Sequence, residues 1–244
     1  MNGSTDKLGK ALTQVAPGIW TAEGPVVPYA LGPFTVPCPT RMTIIRNPRG
    51  ELLIHSPIAL EDGLAKALTK LGTVSAILVP NSFHHLFAAS WLEAYPSAVL
   101  YTAKRNGKAS GLDKVAKRGS EALAADWAGA LRTHEVDAGA WSEIALFHEP
   151  TKTLVLTDLM QNFDLSAIGS PTVRALLRIG GAASAHPSAS LEMRLPVYLN
   201  GRRKAVRNSF AAIRSWSPER ILITHGPQPK GDPAELLRRG FAWA

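Results

Sequence analysis

Apolar positions in this chain follow two periods. MTIIR (Met42 to Arg46) and ELLIH (Glu51 to His55) are short β-type runs joined by Asn47-Pro48-Arg49-Gly50, which predicts a hairpin. From Leu60 to Leu71 the spacing changes. Leu64, Ala67, Leu68 and Leu71 share one helical face, and Gly72 is placed as a left-handed stop. Val74 to Val79 is continuously apolar, as expected of a strand covered on both faces, and Pro80 ends it. A helix from Leu86 to Tyr95 and a strand from Ala98 to Thr102 follow. Further strands are predicted at Leu131 to Val136, Ser142 to Phe147, Thr153 to Thr157 and Arg220 to Thr224, the second and third forming a hairpin through His148 to Lys152. Helices are expected around Thr172 to Ile179, from Arg202 to Trp216, and after the cap Asp232 with Pro233 and Glu235 in capping-box positions. The alternation predicts a layered α/β domain. Residues 162–200 carry the least regular pattern. The Pro- and Gly-rich stretch up to Pro39 reads as an extended lead-in with one strand at Gly18 to Ala22. Residues 1–16 are expected to be loose, in a single domain spanning 1–244.

Composition narrows the class. With 244 residues, 45% of them hydrophobic and 19% charged, a sizeable core is available. No apolar run approaches the roughly eighteen residues of a membrane span, and the N-terminus lacks the apolar block of a secretory signal. Cys38 is the single cysteine, so no intrachain disulfide forms; a soluble protein of the reducing cytoplasm is expected. Lys and Arg number 27 against 19 Asp and Glu, a net charge of +8 that favours acidic partners. The excess concentrates at Lys104, Arg105, Lys108, Lys114, Lys117 and Arg118, then at Arg202, Arg203, Lys204 and Arg207, and at Arg238 and Arg239. No aromatics interleave the two longer runs and no nucleic-acid motif is visible. A solvated basic surface is therefore expected, ahead of nucleic acid or the rim of an anionic-substrate site. Oligomeric state is not encoded in any of these features.

Seven histidines are present: His55, His84, His85, His134, His148, His186 and His225. His84 and His85 follow the strand ending at Val79, Asp158 follows the strand ending at Thr157, and His225 follows the strand ending at Thr224. Carboxyl ends of strands are where α/β sheets bind ligands, so these residues are expected to converge on one cation. Imidazole with carboxylate suits zinc, iron or manganese. Adjacent strand residues point to opposite faces, so His84 and His85 share an ion only if the chain has left the strand there.

These stretches resemble the metallo-β-lactamase superfamily, and more closely an uncharacterised domain-of-unknown-function branch of mostly bacterial and plant proteins. The matching segments are GELLIHSPIAL (Gly50 to Leu60), PNSFHHLFAASWLEAYPSA (Pro80 to Ala98), SEIALFHEPTKTLVLTDLMQNF (Ser142 to Phe163) and ERILITHGP (Glu219 to Pro227). The resemblance implies a four-layer αββα sandwich, two mixed sheets flanked by helices, with the site at their shared edge. The superfamily signature His-x-His-x-Asp-His, laid on this chain, puts its first two histidines on Pro80 and Ser82 and its last two positions on His84 and His85. The later bridging Asp matches Asp158 and the last His matches His225. The remaining superfamily His would fall near Ala138 to Ala140, where none stands. The resemblance thus implies one divalent ion, zinc ahead of iron or manganese, held by His84, His85, Asp158 and His225.

Hairpin register places Glu143 opposite Asp158, making Glu143 a candidate ligand, general base or orienting partner. Asn81 is expected to orient the histidine loop through its amide. His55 and His148 are assigned structural roles, His134 and Asp137 flank the missing-ligand region, and Cys38 has no nearby base in sequence and is expected to be inert. The function expected from these residues is hydrolysis of an ester, lactone or phosphoester by a metal-activated water, with Asp158 and Glu143 as catalytic carboxylates. A decayed site serving as a binding or regulatory module, and a redox-iron protein, are the alternatives.

Overall fold

The structure is a computed structural model, and it describes residues 7–8, 12–31, 33–105, 112, 115–183 and 186–244. The strands predicted around the first hairpin build an eight-stranded mixed sheet. In chain order its members are β1 (Lys7–Leu8), β2 (Leu12–Ala16) and β3 (Ile19–Glu23), then, after an excursion of two further strands, β4 (Val27–Leu31) and β5 (Phe34–Cys38), come β6 (Arg41–Arg46) and β7 (Glu51–His55). Helix α1 (Asp62–Leu71) returns the chain to β8 (Thr73–Val79), α2 (Ala88–Ala94) to β9 (Val99–Thr102), and β10 (Lys117–Arg118) closes the edge. The spatial order is β1-β2-β3-β6-β7-β8-β9-β10, while β4 and β5 pair only with each other. After α3 (Ser120–Asp126) a second sheet forms from β11 (Leu131–Asp137), β12 (Ser142–His148), β13 (Thr153–Leu156) and, beyond α4 (Pro171–Gly180), α5 (Leu191–Leu199) and α6 (Arg203–Ser215), the parallel strand β14 (Arg220–Ile223). Helix α7 (Pro233–Gly240) follows.

Strand alternation sorts the side chains into four layers. Ile19, Ile45, Leu53 and Leu78 of the large sheet pack on Ile144, Leu146, Val155 and Leu222 of the small one. Their sequence neighbours Ile44, Ile54, Ile77 and Val79 face outward onto Leu64 and Leu68 of α1 and Trp91 of α2. Ala145, Phe147, Leu154 and Ile223 face outward onto Phe210 and Ile213 of α6, Val197 of α5 and Leu237 of α7. This is the αββα sandwich that the resemblance implied. The hairpin β4–β5 forms a separate cluster, with Val36 and Cys38 packed on Phe163 and on Val173 and Leu177 of α4.

Several local expectations are corrected. The Pro-rich lead-in holds four strands between Leu12 and Cys38, not one, because prolines tolerate the edge pair β4–β5. Gly72 is not left-handed: its backbone is extended, and glycine is required because a Cβ there would lie 2.0 Å from the Gly50 carbonyl oxygen. Asp232 caps α7, accepting from Glu235 N at 2.9 Å, but Glu235 turns to Arg238 rather than back to the cap. Within 162–200, α5 was hidden by Pro196 in its interior. In the basic segment Lys117–Arg118 forms β10, while Lys108 and Lys114 lie outside the described residues. No helix among the described residues is long and apolar enough to cross a membrane.

Candidate metal centre

The parallel pairing of β7 with β8 and of β13 with β14 brings four strand carboxyl ends to one edge of the sandwich. There the two sheets are stitched by polar contacts. Ile144 N donates to Pro80 O at 2.9 Å. Arg41, at the start of β6, donates through Nη1 to the carbonyls of Ile223 and Gly226 and through Nε to Glu23. Asn81 accepts from Phe83 N at 2.9 Å, which fixes the histidine loop as anticipated, and its Nδ2 donates to Glu143 Oε2 and Asp158 Oδ2.

Three side chains meet at this edge. His84 Nε2 lies 3.2 Å from His225 Nε2 and 3.2 Å from Asp158 Oδ2; His225 Nε2 lies 3.4 Å from Asp158 Oδ1. All three residues are buried, and their donor atoms fall within one small cluster. The spacing fits a cation: bonds of about 2.0–2.1 Å in tetrahedral directions put neighbouring donors about 3.3 Å apart.

The other ring nitrogens are engaged, so the Nε2 atoms turn toward the cluster. His225 Nδ1 donates to Pro39 O at 2.8 Å, so Nε2 turns inward and can offer a lone pair once its proton is displaced. His84 Nδ1 lies 2.6 Å from Ser56 Oγ, and Ser56 holds the left-handed φ of +55°, uncommon outside glycine, in the turn after β7. Asp158 also accepts from Gln161 Nε2. Phe163 lies parallel to the His225 ring at 6.4 Å. Gly226, at φ +81°, directs the chain out of the site; a Cβ there would stand 1.9 Å from Asn162 O.

Charge is divided unevenly. Burial opposes the Asp158 charge, but His84 and His225 outweigh it and hold the carboxyl well below its usual range. Burial also opposes charge on His225, but Cys38 and Asp158 outweigh it and hold that imidazole well above its usual value. For His84 burial wins over the attraction of Asp158, and its pKa falls. One neutral imidazole, one proton-holding imidazole and one carboxylate make a donor set from which a cation displaces a proton.

The remaining expected residues sort clearly. His85 does not join the three: its Nδ1 lies 2.7 Å from Ser82 O in the turn between β8 and α2. Glu143 is opposite Asp158 in register, but it is enclosed. Its oxygens accept from the backbone N–H groups of Thr157, Asp158 and Leu159 at 2.8–3.2 Å and from Asn81. Burial and the Asp158 charge push its pKa up, against the pull of those donors. It positions the loop that carries Asp158. His148 bonds Thr151 Oγ1, and His134 sits edge-on to Trp216. Asp137 pairs with Arg105 and Arg202, so it does not stand in for the missing ligand. His55 is fully buried, yet neither ring nitrogen has a hydrogen-bond partner beyond its own backbone among the described residues. Cys38, expected to be remote from any base, has its Sγ 3.2 Å from His225 Nδ1. No spacing rule announces Cys38, Ser56 or Gln161, whose proximity arises from loops that meet only in the folded sheet edge.

Known proteins share this fold. Residues 19–107 match the model of a domain of unknown function, DUF4336, which covers His84 but ends before Asp158 and His225. No curated protein matches the sequence. Solved structures match almost end to end. A metallo-β-lactamase from Erythrobacter litoralis aligns over 95% of this chain and 89% of its own, with a TM-score of 0.54 at 13% identity. The fold is that of the metallo-β-lactamases. FIM-1 from Pseudomonas aeruginosa, a metallo-β-lactamase solved in a mono-zinc form, aligns over 96% of this chain and 97% of its own (TM-score 0.55, 13% identity). The DIM-1 metallo-β-lactamase exposed to ceftazidime aligns over 95% and 94% (TM-score 0.56, 10% identity). In this metallo-β-lactamase fold the three-donor cluster occupies the edge where both sheets end.

Proposed function

We propose that the protein is a hydrolase that uses one divalent metal ion, zinc in first place, held by His84, Asp158 and His225, and acts on an ester, lactone or phosphoester. The observation that carries the reading is the triangle of two Nε2 atoms and a carboxylate at 3.2–3.4 Å. A bound ion of this kind supplies Lewis acidity and makes water acidic near neutral pH. Asp158 provides the negative charge that holds the cation, and Asn81 and Gln161 fix its two oxygens. Ser56 and the Pro39 carbonyl set the ring planes of His84 and His225. Glu143, with its oxygens committed to backbone amides, orients the Asp158 loop and does not serve as the base.

A second reading, a binding module on a reduced metal site, is favoured by Pro80 and Ser82 in two ligand slots and by His85 turned to Ser82 O. Metal analysis of the purified protein followed by assay of ester, lactone and phosphoester substrates separates the two. The expected result is about one zinc per chain and hydrolysis that chelator abolishes and zinc restores. Stoichiometric zinc without hydrolysis of any class favours the binding module. Absence of bound metal after zinc titration overturns the site. His84→Ala, Asp158→Ala and His225→Ala should each lower zinc content below about a tenth of the parent, in line with the cost of removing a ligand. His85→Ala and His148→Ala should retain it, as measured by atomic emission.

A further inference from the structure

We propose that the cleft over the three-donor cluster takes an uncharged acyl compound with a hydrocarbon chain, an ester or lactone of a medium-length fatty acid, and discriminates against anionic substrates. This inference rests on the hydrolase reading for its chemistry, although the preference for an apolar ligand does not depend on turnover.

The net charge of +8 leads one to expect cations around a site of this kind. The cleft contains the opposite. None of its described lining residues is Lys or Arg, and Asp158, the carboxylate among them, offsets part of the charge of a bound ion. Several basic residues outside the cleft are paired with carboxylates. Arg105 and Arg202 pair with Asp137, Arg118 with Asp126, and Arg238 with Glu235. A phosphate or carboxylate head entering here meets an ion whose charge Asp158 already offsets in part, and finds no Lys or Arg on the walls to offset the rest of its desolvation.

The hydroxyls on the cleft walls are also engaged. Thr40 Oγ1 donates to Pro25 O, Ser56 Oγ contacts His84, and the Tyr29 phenol bonds Glu192. What the walls present instead is apolar surface. Phe83 and Leu86 bracket His84 and His85 on one loop and remain 48% and 61% exposed at the mouth. Val27 of the β4–β5 hairpin and the buried Phe163 and Met193 line the cleft as well. Large side chains held in water beside a buried polar floor are the arrangement of an apolar ligand site with a few convergent polar groups.

The test uses zinc-loaded protein and unreactive probes. Butanamide, hexanamide and octanamide carry one neutral head on growing chains, and octanesulfonate carries the longest chain on an anion that coordinates zinc poorly. Calorimetric titration should show affinity rising about two- to fourfold per methylene, and octanamide binding at least tenfold more tightly than octanesulfonate. Combined Phe83→Ala and Leu86→Ala substitution should flatten the chain-length series while zinc content and melting temperature hold. Leu86→Lys should narrow or reverse the preference against the sulfonate. A flat series in the parent, or octanesulfonate binding as tightly as octanamide, overturns the inference. Separately, p-nitrophenyl butyrate and octanoate are assayed for hydrolysis. A preserved amide series without ester turnover defeats the hydrolase reading alone; turnover without the series defeats this inference alone.

Discussion

The imidazole of His55 sits at the end of β7 with its ring nitrogens lacking partners, and burial, reinforced by nearby His84, depresses its pKa to about 3. In the unfolded chain it titrates near 6.5. Between those values the unfolded state binds a proton that the folded state refuses, so stability is intact above pH 6.5 and declines as pH falls toward 3. At pH 5 this one residue accounts for about 2 kcal/mol of acid destabilisation. His55→Leu removes the titration and the unpaired ring nitrogens. The variant should match or exceed the parent in melting temperature at pH 8 and lose less on acidification to pH 5, measured by thermal unfolding across that range. The residue scale also shows where sequence reading stops. The position of Asp158 and the hairpin register that sets Glu143 opposite it were legible from alternation around Pro150. The enclosure of Glu143 by three backbone amides was not, since those amides belong to the turn that it holds.

At the scale of elements, strands in the sheet interiors were the most legible, because Ala76 to Val79 and Ile144 to Phe147 are unbroken apolar runs. The pair β4–β5 and the helix α5 were illegible for the same physical reason: proline within an element masks its period. The histidine loop is intermediate. That the chain leaves the strand after Pro80 was legible, but which imidazole then faces the carboxylate was decided by the turn, which sends His85 to Ser82 O. The exit of β14 is as tightly determined. Gly226→Ala forces a Cβ into the Asn162 carbonyl and a left-handed residue to carry a side chain. Destabilisation of about 3 kcal/mol or more is expected, visible as a lowered urea midpoint, together with loss of zinc through displacement of His225.

For the whole molecule, the two sheets share an apolar core but are joined by polar contacts at the site edge, and Arg41 has the longest side chain among these. Its guanidinium serves two carbonyls of the β14 segment and one carboxylate of β3. Arg41→Ala leaves those carbonyls without their donor in a buried position, at a cost of about 2–4 kcal/mol. Urea unfolding should report that loss, and zinc affinity should fall with it, because His225 lies between the two carbonyls in sequence. The four-layer arrangement was readable from the order of the strands and helices through its resemblance to the superfamily. The bridging of its halves was not, since Arg41 in the sequence is one more basic residue in a basic chain.

The sulfur beside His225 gives the protein a label of its own. Cys38 is the chain's one thiol, it is nearly covered, and it lines the cleft. A small alkylating agent can therefore modify a single known atom without any engineered cysteine. Iodoacetamide incorporation, followed by intact mass, should proceed slowly in the free protein and slow by about a further tenfold when zinc rigidifies the ring it touches. Unchanged kinetics on zinc addition would mean that the thiol and the imidazole are not coupled.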